Sequence, residues 1–226
     1  FIMPMPGSQE MNSLDAAYFL HSHRWWFRGG CLLLVLLGWR AAFSSNIPWK
    51  KVLAGAALLA AGGVFYATQF EMAADTMFYQ PSQVLMKTAE ANVVDSSRLV
   101  IGIEQNGAAK AYPIQFLGYH HQVRDSVGGL SVMVTYCTVC RTGRVFEPTV
   151  GGRAEHFRLV GMDHFNAMFE DERTRSWWRQ ATGEAVAGKL KGQFLPELPS
   201  TQTTLSQWLA LHPESQIMQP DPKFQT

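Results

Sequence analysis

Cys137 and Cys140 stand two residues apart in the stretch Tyr136-Cys137-Thr138-Val139-Cys140-Arg141-Thr142-Gly143. Two thiols at that spacing support two kinds of chemistry: a dithiol–disulfide couple, or half of a site for a soft metal ion. The flanking residues bear on the choice. An apolar run from Leu130 to Tyr136 leads into the pair, and Arg144 to Phe146 continues beyond it with no helix signal. In thioredoxin-like proteins the pair opens a helix whose amides lower a thiol pKa. A pair in a strand-to-strand turn suits a metal-binding knuckle instead. Thiolates favour Zn²⁺, Cu(I) and iron–sulfur clusters. There is no second CxxC, which argues against a zinc ribbon and a four-cysteine cluster.

The remaining ligands would then be imidazoles or carboxylates. His120 comes first, because it precedes a run able to pair with the strand that ends at Cys137. His121 would point to the opposite face of an extended segment, so the two are not expected on one ion. His121, His164 and Asp171 are further ligands or supporting groups, and His156 ranks with His164. The expected cofactor is a copper or zinc ion on Cys137, Cys140 and His120. The alternative is a thiol–disulfide protein in which Cys137 attacks, its pKa lowered by Arg141, Arg144 or a protonated His120. A structural thiol pair is the third reading. Charges from Glu170 to Arg175 read as a solvated turn, in which Asp171 either caps the turn or supports a ligand histidine.

These residues must be positioned by a chain of 226 residues with a formal net charge of +1 and 47% hydrophobic residues. No basic stripe or base-stacking motif suggests nucleic acid. Val52 to Phe70 contains no charge and is long enough to cross a bilayer as a helix. The preceding run, Phe27 to Phe43, is apolar between Arg28 and Arg40, whose side chains can snorkel to headgroups beside Trp25, Trp26, Trp39 and Trp49. The two form a predicted transmembrane hairpin over 27–70, turning at Ser44–Pro48, after an N-terminal tail, 1–26. Cys31 lies in the first run and reads as a small buried apolar residue. The chain begins with Phe1 rather than Met, as a partial or processed start would, and a cleaved signal peptide is not expected so deep in the chain.

Arg40, Lys50 and Lys51 flank the hairpin turn, whereas Glu71 and Asp75 follow the second helix. The positive-inside tendency therefore puts the turn in the cytoplasm and the following domain on the periplasmic or extracellular side, although Arg24 and Arg28 pull the other way. Gly55, Gly62, Gly63 and many alanines give the second helix a thin face, so the expected partners are the lipid bilayer and integral membrane proteins.

After a connecting segment, 71–98, short apolar runs alternate with turns: Asn106-Gly107, Asp125–Gly129 and Gly151-Gly152. This spacing predicts a mainly β, β-rich α+β domain over 99–218, an antiparallel sheet or small barrel, followed by a tail, 219–226. Arg144–Val150 and His156–Val160 read as hairpin partners. Helical signals are few: Tyr79 to Ala91, Pro113 to Tyr119 and Thr204 to Leu211.

Within this domain the residues fall into an ordered series. Val100-Ile101-Gly102-Ile103, Ala111-Tyr112-Pro113, His120, Asp125 and Gly128-Gly129 precede Val134-Thr135-Tyr136-Cys137, Cys140, Thr142 and Phe146. Asp171, Thr174, Ser176, Trp178, Gln180, Thr182-Gly183, Gly188, Trp208 and His212-Pro213 follow. From about Tyr79 to Met218 the chain resembles the DUF3179 family, which is defined by sequence and largely without assigned activity. Against that pattern His121 replaces an acidic residue, Thr138 a proline and Arg141 a small residue. No GxGxxG, Walker, HExxH or serine-hydrolase signature accompanies the series.

Overall fold

The computed structural model of the chain describes residues 7, 9–81 and 83–222. They fall into a helical unit, Met11–Met77, and a β-rich unit formed from Phe78 onward together with the described residues before Met11.

The helical unit contains α1 (Leu14–Ser22), α2 (Arg24–Ser44), α3 (Pro48–Tyr66), a π-helical turn (Ala67–Glu71) and α4 (Ala74–Met77). Pro48 occupies the first turn of α3, where its missing N–H costs nothing. Both Arg24–Ser44 and Pro48–Glu71 are long and apolar enough to cross a membrane, and neither buries its apolar surface within the chain. At 21 residues α2 extends about 31 Å, the thickness of the hydrocarbon core, with Arg28 and Arg40 each about 6 Å from an end and within reach of the headgroups by snorkelling. Arg28 sits at the end of the pair remote from the turn. It donates to Gln69 Oε1, and its guanidinium lies 4.8 Å from the Trp25 ring centroid and 5.4 Å from that of Phe65. Cys31 is exposed on α2, so the expected buried position is not what the fold provides.

The β-rich unit opens with β1 (Met86–Lys87), β2 (Leu99–Gln105), β3 (Ala108–Pro113) and α5 (Ile114–His120). Next come β4 (Gln122–Val127), β5 (Leu130–Cys137), β6 (Thr142–Phe146), β7 (Thr149–Val150) and β8 (Arg153–Ala154). The chain continues through β9 (Phe157–Asp163), β10 (Asn166–Asp171), β11 (Trp177–Arg179) and β12 (Ala185–Ala187). It closes with β13 (Thr201–Thr204), α6 (Leu205–Leu211) and β14 (Gln216–Met218).

These strands make four sheets among the described residues: β1-β14-β3-β2-β13, β12-β11-β10-β9, β4-β5-β6 and the pair β7-β8. All pairings are antiparallel except β14 with β3. The expected β-rich antiparallel architecture is present, as open sheets and not as a closed barrel. Because β1 pairs with β14, residues 78–98 are built into this unit and do not form a separate connector.

Local signals explain much of the register. Asn106 and Gly107 adopt φ of 50° and 78°, the left-handed pair that lets β2 turn directly into β3. Gly128 and Gly129 do the same between β4 and β5. Gly151-Gly152 joins only the short β7 and β8, and β9 pairs instead with β10. The expected pairing of Arg144–Val150 with His156–Val160 is therefore wrong; β9, buried at alternate residues, packs as a half-buried strand of another sheet. Among the described residues of Tyr79–Ala91 there is no helix. The Glu170–Arg175 segment is not a solvated turn throughout: Glu170 and Asp171 are buried at the end of β10. One core, including Ile101, Tyr112, Leu117, Val134 and Val145, joins the β2–β3 and β4–β6 sheets under α5.

Candidate dithiol site

The pair is set in the turn between β5 and β6. Cys137, the last residue of β5, stands opposite Thr142, leaving 138–141 to reverse the chain. Arg141 completes the reversal at φ 52°. The left-handed region costs an ordinary L-residue about 1–2 kcal/mol, which accounts for the small residue that the resemblance leads one to expect there.

The turn brings the two thiols onto each other. Cys140 N–H donates to Cys137 Sγ at 3.5 Å, and Cys137 Sγ–H donates to the Phe165 carbonyl at 3.6 Å. Both cysteines are free; Cys137 is fully buried and Cys140 half-buried. Burial pushes the Cys140 thiol up, its hydrogen bond with Cys137 pushes the same way, and Thr142 opposes. Burial also raises the Tyr136 phenol, against the nearby Arg141 charge. A cleft of about 410 Å³ beside the turn, lined by Ile114, Gly118, Tyr119, Tyr136, Thr138 and Arg141, gives it an open flank.

The wall over Cys137 comes from the tip of the β9–β10 hairpin. His164 and Phe165 take φ of 46° and 62°, two consecutive left-handed residues without a glycine. Such a turn matches the strand twist, but its usual occupants are Asn and Gly. It is fastened from both sides. Asp163 Oδ1 accepts from His164 Nδ1 at 2.6 Å, while Asp163 Oδ2 accepts from Arg179 Nε at 3.1 Å. Phe165 N–H donates to Gln9 Oε1 at 3.2 Å. Gln180, fully buried, ties the hairpin to the cysteine turn: its N–H donates to Ala167 O, and its Nε2 to Thr135 Oγ1 at 2.9 Å and Thr142 O at 3.0 Å.

Of the sequence-predicted residues, Cys137 and Cys140 come together and His164 stands on the hairpin tip beside them. His164 Nδ1–H donates to the Asp163 carboxylate, so in the neutral ring Nε2 carries the lone pair, on a side chain that is 46% exposed. His120 is the last residue of α5, buried, with Nδ1 2.5 Å from the Tyr79 carbonyl. His121 adopts a left-handed conformation instead of an extended one and gives its Nδ1–H to Tyr136 O at 3.0 Å, edge-on to Phe78. His156 lies with Arg124 at the start of β9. Asp171 accepts from Thr174 N–H, Ser176 N–H and Trp178 Nε1–H, which makes it the anchor of a turn. Among the described residues no three His, Cys, Asp or Glu side chains are already gathered in a group able to hold an ion. Phe165 carries no sequence signal, because its turn lacks a glycine; Gln180 is legible only as a member of the ordered series, and its tie to the cysteine turn comes from the fold.

The fold and site together describe a β-rich domain carrying a dithiol knuckle, next in sequence to two helices of membrane-spanning length. The sequence model of DUF3179, a protein family of unknown function, matches residues 79–226. The chain therefore belongs to the DUF3179 family. No curated protein and no solved structure matches it significantly.

Proposed function

We propose that this chain is a membrane-anchored protein whose β-rich domain, on the periplasmic or extracellular side, binds a soft metal ion, Cu(I) or Zn²⁺, through Cys137 and Cys140. The observation that carries the reading is the knuckle itself: two free cysteines on one strand-to-strand turn, with the backbone N–H of one directed at the sulfur of the other. Hydrogen bonds to sulfur stabilise a thiolate. The third ligand in this reading is His164, displacing His120 from first place. Its Nδ1 is held by a carboxylate, the arrangement that prepares Nε2 of a histidine for a metal.

The test is elemental analysis of the full chain, purified in detergent under reducing conditions. One copper or zinc per chain is expected, lost in Cys137→Ser and in Cys140→Ser. His164→Gln should weaken binding by about 10–100-fold, the usual range for loss of a ligand or its support, while His120→Gln should not. A chain that takes up neither metal stoichiometrically rules the proposal out.

The contact between the two thiols also favours a second reading, a dithiol–disulfide couple. Oxidation would join the sulfurs and pass two electrons to a partner disulfide, which is reduced to two thiols. Accessibility makes Cys140, not the buried Cys137, the attacking sulfur. A mixed disulfide trapped on Cys140 in the Cys137→Ser chain supports this reading, and a chain that traps no partner removes it. Integral membrane partners for the thin face of Val52–Phe70 belong to either reading, and recovery of fixed partners in mild detergent tests them.

A further inference from the structure

Gln122 and Arg124 lie two residues apart on β4, so their side chains share one face of the strand. Both line a cavity of about 440 Å³, within the range of about 300–1,000 Å³ typical of small-molecule sites. The cavity lies where β9 begins and β10 ends, away from the hairpin tip by about 20 Å along the strands. Neither cysteine is among its lining residues.

The polar groups on its wall do not balance. Glu170 is engaged by Arg158 and Arg175 and accepts the Trp177 indole N–H. Arg124 is placed differently. Its Nη2 donates to Phe157 O at 3.0 Å and its Nη1 to His156 Nδ1, two neutral acceptors. No carboxylate of the described residues comes within ion-pair reach of it, and its Nε–H is buried without a partner. Burial draws the guanidinium below the ordinary arginine range, opposed from a distance by Glu155 and Glu172. Gln122, 1% exposed, donates Nε2–H to Phe157 O at 2.6 Å, which fixes the amide orientation and leaves Oε1 buried with no donor.

The residues that carry a guanidinium without an ion-pair partner, an unused N–H and an unused amide oxygen therefore line one cavity. The guanidinium calls for a carboxylate or phosphate. The Gln122 oxygen calls for a hydroxyl or amine on the same molecule. His156 adds a donor: because its Nδ1 accepts from Arg124, the neutral ring carries its proton on Nε2. We propose that this cavity binds a small organic oxyanion that also bears a hydrogen-bond donor, with Arg124 as the principal cation and Gln122 as the group that reads the donor.

Calorimetric titration of the full chain in detergent at physiological ionic strength tests this, with malate, succinate and inorganic phosphate as separate probes. Saturable one-to-one binding of malate or phosphate is expected, and malate over succinate would identify Gln122's contribution. Arg124→Gln should weaken binding by at least about tenfold, as removal of one partner of a desolvated charge pair does. Glu172→Gln removes an exposed opposing charge without touching the core, and should tighten binding about two- to threefold. Failure of all three probes to bind, or unchanged affinity in Glu172→Gln, overturns the proposal. So does unchanged affinity in a folded Arg124→Gln chain.

Discussion

Cys140 determines how the dithiol site responds to pH. A proton must leave each thiol before a metal can bind, and burial holds the Cys140 proton beyond the ordinary thiol range. Metal uptake should therefore go on strengthening with rising pH past about 9.5, where an unperturbed cysteine is about nine-tenths ionised. Competition with a chromophoric chelator at several pH values measures this; an affinity that stops rising at that value would contradict it. His121 acts on stability. Its imidazole is held below its usual range, first by burial, with the Tyr136 carbonyl opposing. The unfolded chain therefore takes up the proton first. The stability due to neutral His121 is complete above about pH 6.5 and declines as the pH falls below it. His121→Asn, which keeps a residue tolerant of φ 57°, should flatten that decline in denaturant midpoints compared between neutral and acid pH.

At the scale of elements, a close fit holds the strand that leaves the cysteine turn. A Cβ on Gly143 would lie 2.4 Å from Ile101 Cδ1, so β6 passes β2 with no room for a side chain. Gly143→Ala should cost about 1–3 kcal/mol, the usual cost of overpacking a core, read as a lower urea midpoint. The hairpin tip has the opposite bias. His164 and Phe165 adopt left-handed backbone without the residues suited to it, and replacing them with Asn-Gly should stabilise the chain by about 1–2 kcal/mol. Strain retained at one turn over a buried thiol is what a functional position would show. In the metal reading, the same double substitution should raise stability while lowering metal affinity. If both properties rose together, the tip would be only a turn.

For the molecule as a whole, the helical unit exposes Leu32 to Leu37, Val52, Leu53 and Leu59, whereas the β-rich unit buries its own core. Apolar surface on that scale is not left in water. The full chain should resist extraction from membranes by alkaline carbonate, and a chain beginning at Phe78 should stay in solution with the same far-UV spectrum as the domain it retains. Release of the full chain by carbonate would contradict the membrane reading.

The sequence by itself determined the features that depend on near neighbours. Helix length and apolarity marked α2 and α3, Asn106-Gly107 and Gly128-Gly129 set two turns, and the CxxC between apolar runs located a knuckle. The ordered motifs pointed to DUF3179. Those signals are local because a turn or a helix is decided by the residues within it. Only the tertiary structure decided that β9 turns into β10 rather than back onto β6, because the turn at His164-Phe165 lacks a glycine and is fastened by Arg179, Gln180 and Gln9. Only it showed the tip of the β9–β10 hairpin, where His164 and Phe165 stand, closing over Cys137, and His120 bonded to the Tyr79 carbonyl at the end of α5. The unbalanced charge of Arg124 was equally invisible, because a guanidinium's partners come from strands distant in sequence. The knuckle was legible because its chemistry lies within four residues; its surroundings were not, because they are assembled by packing.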